Sequence, residues 1–424
     1  MRSDGGINME KDLNSLKENI LQKLKERTDE FKIDFSKIDE PYFRRKAEVA
    51  FKTILKENKI SLSSSEQEEL LSEIVSYLLG LGPIDTLLKD PNISEIMVNG
   101  PQQVYIEKNG TLESTDIAFK DEEHLSYFID KIISPLGRRV TEFEPYVDAR
   151  LKDGSRVNIV RSPVSSVGPI LTIRKFSHRI LNVDDLINLG TLNDLSAQFL
   201  RACVVARLNI LICGGASSGK TTLLNVLGSF IPEGERVITI EDTREFHFPR
   251  KHTVHLETRP SNIEGKGEIS IRDLLKNSLH MRPDRIIVGE VRSDEVLDMI
   301  QAMNTGHDGS MTTLHANSPL EAMDRLEVLA LMGSLNMSSE VAKRQTISAL
   351  DVVIHMNRFP DGCRKITQIS EVVKSREYLL KDIFIFKEEI DRKRELKLTG
   401  EVPTFYLRLK EKANYICREF ERNG

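Results

Sequence analysis

The chain has 424 residues, of which 39% are hydrophobic and 29% charged, with a formal net charge of −5. That is enough for two or three domains, each with its own core. The mild acidity, the absence of tryptophan and an aromatic content of 6% argue against a protein that coats or stacks nucleic acid. The four cysteines, Cys203, Cys213, Cys363 and Cys417, form no CxxC pair, which speaks against a zinc ribbon or a disulfide framework and predicts a reducing, cytoplasmic setting. No apolar run is long enough to span a bilayer, and the start MRSDGGINMEKDLNSLKEN lacks a signal-peptide core.

Residues 1–60 read as a charged helical extension. Leu13, Leu16, Ile20 and Leu24 recur at helical spacing, as do Phe43, Ala47, Phe51 and Leu55, with Pro41 separating the two sets. A small helical bundle with solvated charged faces fits this pattern; a docking arm for a partner is the alternative. Residues 61–177 read as an α+β domain with a largely antiparallel sheet. Its first helix follows a Ser65/Glu68 capping box and stops at Gly80. Short strands then run through ISEIMVNGPQQVYIEKNGTLE, broken at Asn99-Gly100 and Asn109-Gly110. A helix in DEEHLSYFIDKIISPLG and further strands in VDARLKDGSRVNIV and PILTIRKF complete the domain.

Residues 178–195 read as a linker or hinge with one short helix. From 196 to 424 the period changes. Strand-length apolar runs (NILICG, RVITI, DRIIVG, SMTTLH) alternate with helical patterns, the mark of a parallel sheet flanked by helices. The last seventy residues mix short strands (DVVIHM, DIFIF) with a final helix.

The strongest local signal is GGASSGKTT. Gly214, Gly219, Lys220 and Thr221 satisfy G-x-x-x-x-G-K-[ST], between an apolar strand and an amphipathic helix. Glycines at 214, 215 and 219 let successive N–H groups turn toward phosphate oxygens, and the helix N-terminus adds partial positive charge. The whole stretch Gly214, Gly215, Ala216, Ser217, Ser218, Gly219, Lys220, Thr221 and Thr222 is therefore the predicted binding loop for a nucleoside triphosphate. Lys220 would reach the β- and γ-phosphates, and the Thr221 hydroxyl would serve Mg²⁺.

Hydrolysis also needs groups that hold the cation and polarise water. RVITIEDTREF offers Glu241 and Asp242 at a strand end, and RPDRIIVGEVR offers Gly289-Glu290 where an aspartate more often stands. TGHDGSMTTLHANSP carries His307, Asp308 and His315. Its eight-residue histidine gap and missing third ligand do not make a metal site, and no nucleophile turn supports a triad. In a parallel sheet SMTTLH is a strand with His315 at its C-terminal end, followed by a helix capped at Ser318-Pro319. His315 then reads as a γ-phosphate sensor, with a hydrogen-bonded core histidine as the alternative; His307 sits at a glycine-flanked turn.

The order phosphate loop, TIEDT, RPDRIIVGEVR and TGHDGSMTTLHANSP resembles the type II/type IV secretion ATPase superfamily, ring-shaped motors of secretion systems and pili. The similarity runs over roughly residues 75–375. LETRPSNIEGKGEISIRDLLKNSLHMRPDRIIVGEVR and DARLKDGSRVN look most like CpaF-type ATPases of tight-adherence (Flp) pili. The lack of a tetracysteine segment favours the CpaF-like or conjugation branches. The resemblance implies a RecA-like P-loop motor domain preceded by the α+β domain, with ATP and Mg²⁺ as ligands. It implies Glu241 as general base, and Glu290 as the Walker B glutamate supporting Mg²⁺ and the lytic water. It also implies Arg150 and Arg156 as cations that approach the nucleotide when the domains close about the hinge; Arg174 and Arg272 are weaker candidates. The expected assembly is a homohexamer working with an inner-membrane platform protein, peripheral to the membrane through its partners, with no direct nucleic acid. Two other readings remain in view: a RecA-like nucleic-acid motor and a nucleotide-dependent scaffold with negligible turnover.

Overall fold

The computed structural model describes residues 40–57, 60, 62–68, 70–71, 80, 82–136, 138–151, 153–176, 181–248, 250–259, 261, 266–334, 336–388 and 394–423. The helical expectation on Leu13, Leu16, Ile20 and Leu24 lies outside these residues. The chain divides into two compact units, Met1–Ser177 and His178–Gly424.

In the first unit, helix α1 (Glu40–Glu57) buries Ala47, Ala50, Phe51, Ile54 and Leu55 together with Leu70. Their spacing of three and four residues makes one apolar stripe. The capping box of the next helix corrects the sequence expectation. The Ser63 N–H and Oγ donate to Glu66 Oε2 at 2.8 and 2.6 Å, and the Glu66 N–H returns a bond to Ser63 Oγ at 3.3 Å. Residues 64–68 are already helical, so Ser65 lies inside the helix, and Ser63 with Glu66 takes the cap instead of Ser65 with Glu68.

A short helix α2 (Asp85–Lys89) leads into strands β1 (Ile93–Asn99), β2 (Val104–Lys108) and β3 (Thr111–Ser114). Helix α3 (Glu122–Ile133) precedes β4 (Tyr146–Arg150), β5 (Arg156–Val160) and β6 (Ile170–Arg174). The sheet order is β3-β2-β1-β6-β5-β4, and every neighbouring pair is antiparallel. Positive φ at both Asn109 and Gly110, 52° and 83°, gives the β2–β3 hairpin the primed turn that matches strand twist. Alternate residues Val157, Ile159, Leu171 and Ile173 meet Leu125, Phe128, Ile129 and Ile132 of α3 in one core. The other face of β5 and β6 carries Arg156, Asn158, Thr172 and Arg174 together with the half-buried Val160 and Ile170.

The second unit begins with α4 (Val183–Asn188) and α5 (Asp194–Val205). Its parallel strands are β7 (Ile210–Gly214), β8 (Val237–Glu241), β9 (Thr253–Glu257), β10 (Arg285–Val288), β11 (Met311–His315) and β12 (Val352–Arg358). Between them run α6 (Lys220–Ser229), α7 (Ile271–Ser278), α8 (Glu295–Asn304), α9 (Pro319–Met332) and α10 (Ser339–Ala349). The chain closes with β13 (Arg364–Val373), β14 (Leu379–Glu388), β15 (Arg394–Leu398), α11 (Tyr406–Ala413) and α12 (Arg418–Asn423). The order β15-β14-β13-β12-β7-β11-β10-β8-β9 is parallel from β12 to β9 and antiparallel from β12 to β15. The unit is thus an α/β layer structure in which the terminal strands extend the parallel sheet as a meander.

Strand β7 explains the run of apolar residues. Ile210 and Ile212 pack with Phe199 and Leu200 of α5 and Leu223, Leu224 and Leu227 of α6. Leu211 and Cys213 face the opposite core with Leu275, Met299, Ile300, Met323 and Leu326. A central parallel strand covered on both faces has no polar side to show, and each such side chain contributes about 1.5–3 kcal/mol by leaving water. Two cores thus clamp β7 and fix where its C-terminal end points.

Candidate active site

Parallel pairing puts the C-terminal ends of β7, β8, β10 and β11 on one edge of the sheet, where α/β proteins hold ligands. The loop leaving β7 opens at Gly214. A Cβ there would stand 2.3 Å from the Met356 carbonyl oxygen, so only glycine fits. Ser217 and Gly219 take positive φ of 53° and 96°, and Gly219 caps α6, whose first residue is Lys220. Gly215 and Ala216 are exposed at the loop tip, Thr221 and Thr222 are half-buried in the first turn, and Ser218 is buried. The Ser218 Oγ has no hydrogen-bond partner, an orphan polar atom in the wall of the loop.

Lys220 is buried, and its ammonium donates to the carbonyls of Gly214 (3.1 Å) and Gly215 (2.8 Å). It also lies 3.3 Å from His315 Nδ1. An ammonium has only donors, so Nδ1 accepts and the ring proton falls on Nε2. That Nε2 stands 3.0 Å from Glu290 Oε1. The pair is close enough for electrostatic attraction but not aligned as a hydrogen bond, and Oε1 is buried without a hydrogen-bond partner. Burial and the Lys220 charge hold His315 below its ordinary pKa, so it is neutral at pH 7. The other carboxylate oxygen, Glu290 Oε2, accepts from Arg292 at 2.7 Å, and Arg292 also pairs with Asp242 at 3.2 Å.

The strand order builds this line. β11 lies between β7 and β10, and β8 flanks β10, so Lys220, His315, Glu290, Arg292 and Asp242 follow one another along the sheet edge. Burial alone would raise the Glu290 carboxyl, but the Arg292 hydrogen bond and the charges of Arg292 and Lys220 bring it below its usual value. Glu241, one strand further on, is the opposite case. It is 3% exposed, and burial pushes it up to about 8 despite the backbone N–H groups of Glu245 and Phe246. Those N–H groups donate to its Oε1 at 2.8 and 3.1 Å. Two carboxyls with opposed environments are the pattern expected of an acid–base pair.

Arg150 and Arg156 lie in the first unit and pair directly across β4 and β5; Arg156 pairs in turn with Arg174. The three share the face of the sheet opposite its core. Arg174 lies 3.9 Å from Glu95. Arg272 is tied down instead, donating from Nε to Asp298 at 2.7 Å and pairing with Asp294. His307 closes a turn, its Nδ1 3.2 Å from the Ala302 carbonyl. Ser318 caps α9 by accepting from the Glu321 N–H at 3.1 Å, with Pro319 in its first turn.

Sequence reasoning missed Arg292 and Arg364. Arg364 donates from Nε to the Ser217 carbonyl at 2.8 Å. The only sequence signal for Arg292 was its place two residues after Glu290. For Arg364, at the start of a hairpin strand, there was none. Among the described residues no group of three or more His, Cys, Asp or Glu forms a metal cage, and no helix is long and apolar enough to cross a membrane.

The second unit is thus an α/β layer carrying a strand–glycine loop–helix unit, with a lysine, a histidine and a carboxylate aligned on neighbouring strand ends. The chain belongs to the family described as "Type II/IV secretion system protein", which matches residues 78–390. A Mycobacterium tuberculosis protein named for conjugal transfer is 33% identical over 315 residues, covering 73% of this chain and 89% of the relative. The type IV secretion system protein VirB11 of Bartonella henselae is 32% identical over 341 residues, covering 71% and 94%. Among solved structures, the VirB11 ATPase of Brucella suis is 30% identical, covers 68% of this chain and 94% of its own, and superposes with a TM-score of 0.37.

Proposed function

We propose that this chain is an ATP-hydrolysing motor of a secretion or pilus machine. The observation that carries the reading is the line Lys220, His315, Glu290 beside a glycine loop that only glycine at 214 permits. Lys220 leaves the Gly214 and Gly215 carbonyls to bind the β- and γ-phosphates, and His315, relieved of Lys220, orients the terminal phosphate. Thr221 and Glu290 would hold Mg²⁺. The buried Oε1 of Glu290, which takes no hydrogen bond, and the hydroxyl and carboxylate oxygens as hard donors suit that cation. Bound there, Mg²⁺ would neutralise charge on the transferring phosphate. Glu241 is the general base, taking a proton from the lytic water once its own carboxyl is ionised.

The division into a helical extension (1–60), an α+β domain (61–177), a hinge (178–195) and a motor domain (196–424) gives the chemistry its mechanical outlet. Arg150 and Arg156 supply positive charge to the nucleotide, from the same or a neighbouring subunit, when the domains close. The working form is a homohexamer seated on an inner-membrane platform protein at the cytoplasmic face. The cargo is a tight-adherence (Flp-type) pilus, on the likeness of residues 256–292 and 148–158 to that branch. A conjugation-type secretion role is the second reading, favoured by relatives named for conjugal transfer and for VirB11.

Phosphate release by the wild type, Lys220→Ala and Glu290→Gln, with and without single-stranded DNA, tests the motor reading. Turnover lost in both variants and indifferent to DNA supports it. Strong DNA stimulation would point to a nucleic-acid motor, and wild-type turnover no higher than Lys220→Ala to a scaffold. A deletion strain that loses surface filaments supports the pilus; one that loses only DNA transfer supports conjugation.

A further inference from the structure

The phosphate loop does not stand alone. Strand β12 runs parallel to β7 in unbroken register, and its last pair along β7 is Met356 with Gly214, the residue that opens the loop. The chain then folds back on itself. Arg358 pairs with Arg364, and the tip between them is fixed by its own hydrogen bonds. Phe359 N–H donates to Cys363 O at 2.8 Å, Gly362 N–H to Phe359 O at 2.9 Å, and Cys363 N–H to Asp361 Oδ1 at 2.9 Å. A positive φ of 82° at Gly362 makes the turn.

This hairpin walls the loop at both of its glycine hinges. At Gly214 the wall is the Met356 carbonyl; at Gly219 a Cβ would meet Met356 Cε at 3.3 Å and Arg364 Cδ at 3.4 Å. Between the hinges stands Ser217, whose φ of +53° is one that residues with a Cβ adopt reluctantly. Its carbonyl is where Arg364 Nε donates, at 2.8 Å. A carbonyl rotated toward the phosphates would repel them, whereas one held by a guanidinium stays turned away. A charge-assisted bond from a side chain braced against Gly219 is a means of holding that peptide.

We propose that Arg364 is a positioning residue for the phosphate loop. By clamping the Ser217 peptide, the β12–β13 hairpin keeps the loop in its phosphate-accepting shape before nucleotide arrives. The role concerns affinity for the phosphate chain and not the chemical step. It also makes the antiparallel meander β13–β15 mechanically continuous with the bound phosphates. The inference rests on the nucleotide-binding reading above.

The test measures ATP KM, kcat and ADP Kd for the wild type, Arg364→Ala, Arg364→Gln and Lys220→Ala. Arg364→Ala should raise KM and Kd about tenfold to a hundredfold, the worth of a charge-assisted hydrogen bond, with kcat within about threefold of wild type. Arg364→Gln, which keeps a donor, should recover part of the affinity. KM and Kd within twofold of wild type in Arg364→Ala, or a loss confined to kcat, overturns the proposal. If Lys220→Ala binds ADP as wild type does, the nucleotide reading itself has failed. If Lys220→Ala loses binding while Arg364→Ala keeps it, only the clamp has failed. Should Arg364→Ala not fold, hydrogen exchange on the wild-type protein decides: ADP should slow the amides of 215–219 and 357–364 together, and an unchanged hairpin overturns the clamp.

Discussion

His315 Nε2 lies 3.0 Å from Glu290 Oε1, and this contact joins two strand ends that are neighbours only because β11 is inserted between β7 and β10. The histidine is therefore a link between the glycine loop and the carboxylate. His315→Ala should leave nucleotide affinity near wild type and lower kcat about tenfold to a hundredfold, the loss typical of one positioned group. Equilibrium binding of ADP beside steady-state phosphate release checks this. Equal losses in both would mean that His315 serves only to hold the loop.

The Glu241 carboxyl, pushed up to about 8 by burial, makes a pH prediction with a defined sign. Its pKa in the folded chain lies above its unfolded value, so its contribution to stability is fully present below about pH 4.3. That contribution is lost as pH rises toward 8. Melting temperature should fall across this window in the wild type, and the slope should flatten in Glu241→Gln, which still accepts from Glu245 and Phe246. As general base the ionised group should give turnover that climbs up to about pH 8, and Glu241→Gln should abolish the climb.

The two glycines at the loop entrance should respond differently to alanine. Gly214 faces the Met356 carbonyl at 2.3 Å, whereas a Cβ on Gly215 meets nothing within 4 Å. Gly214→Ala must displace backbone and should cost stability by about 1–3 kcal/mol. Gly215→Ala should be neutral or slightly stabilising, by up to about 1 kcal/mol, through its effect on the unfolded chain. Denaturant titration of both variants without nucleotide separates packing from any effect on binding.

Far from the loop, Arg285 is fully buried at the start of β10. It donates to Glu235 at 2.6 and 2.9 Å and to the Val204 carbonyl at 2.6 Å. Removing Arg285 leaves Glu235 with only the more exposed Arg207, at 3.0 Å, and takes the donor from the Val204 carbonyl, so Arg285→Ala should destabilise by about 1–3 kcal/mol. Because Glu290 follows the opposite end of the same strand, turnover per folded molecule should hold. A loss of activity in soluble, fully folded Arg285→Ala would contradict this separation of roles.

What was legible in the sequence follows from how local each feature is. The glycine loop could be read because phosphate chemistry demands fixed residue types within nine positions, and the strands because β7 and β11 are covered on both faces. The capping box slipped by two residues because SLSSSEQEE contains the S-x-x-E spacing twice, at Ser63/Glu66 and Ser65/Glu68, and only the observed helix start chooses between them. Arg292 and Arg364 could not be weighted, because each gains its meaning from strand order. One bridges β8 and β10, and the other reaches the loop only through β12 lying beside β7. The long antiparallel meander was likewise read as isolated short strands, since pairing between β12 and β15 leaves no local spacing to recognise.

The neighbours of β7 also set a schedule for synthesis. Ile210 pairs with Met311 on one side and Val352 on the other, so both partners leave the ribosome long after the strand they flank. At about 5–20 residues per second, the interval is on the order of ten seconds. Throughout it the segment LNILICG carries open edges and two uncovered apolar faces, a template for unwanted pairing. A product ending before Val352 never closes one of these edges. For this chain, nascent-chain chaperoning and removal of truncated products should therefore matter most over the synthesis of residues 210–356.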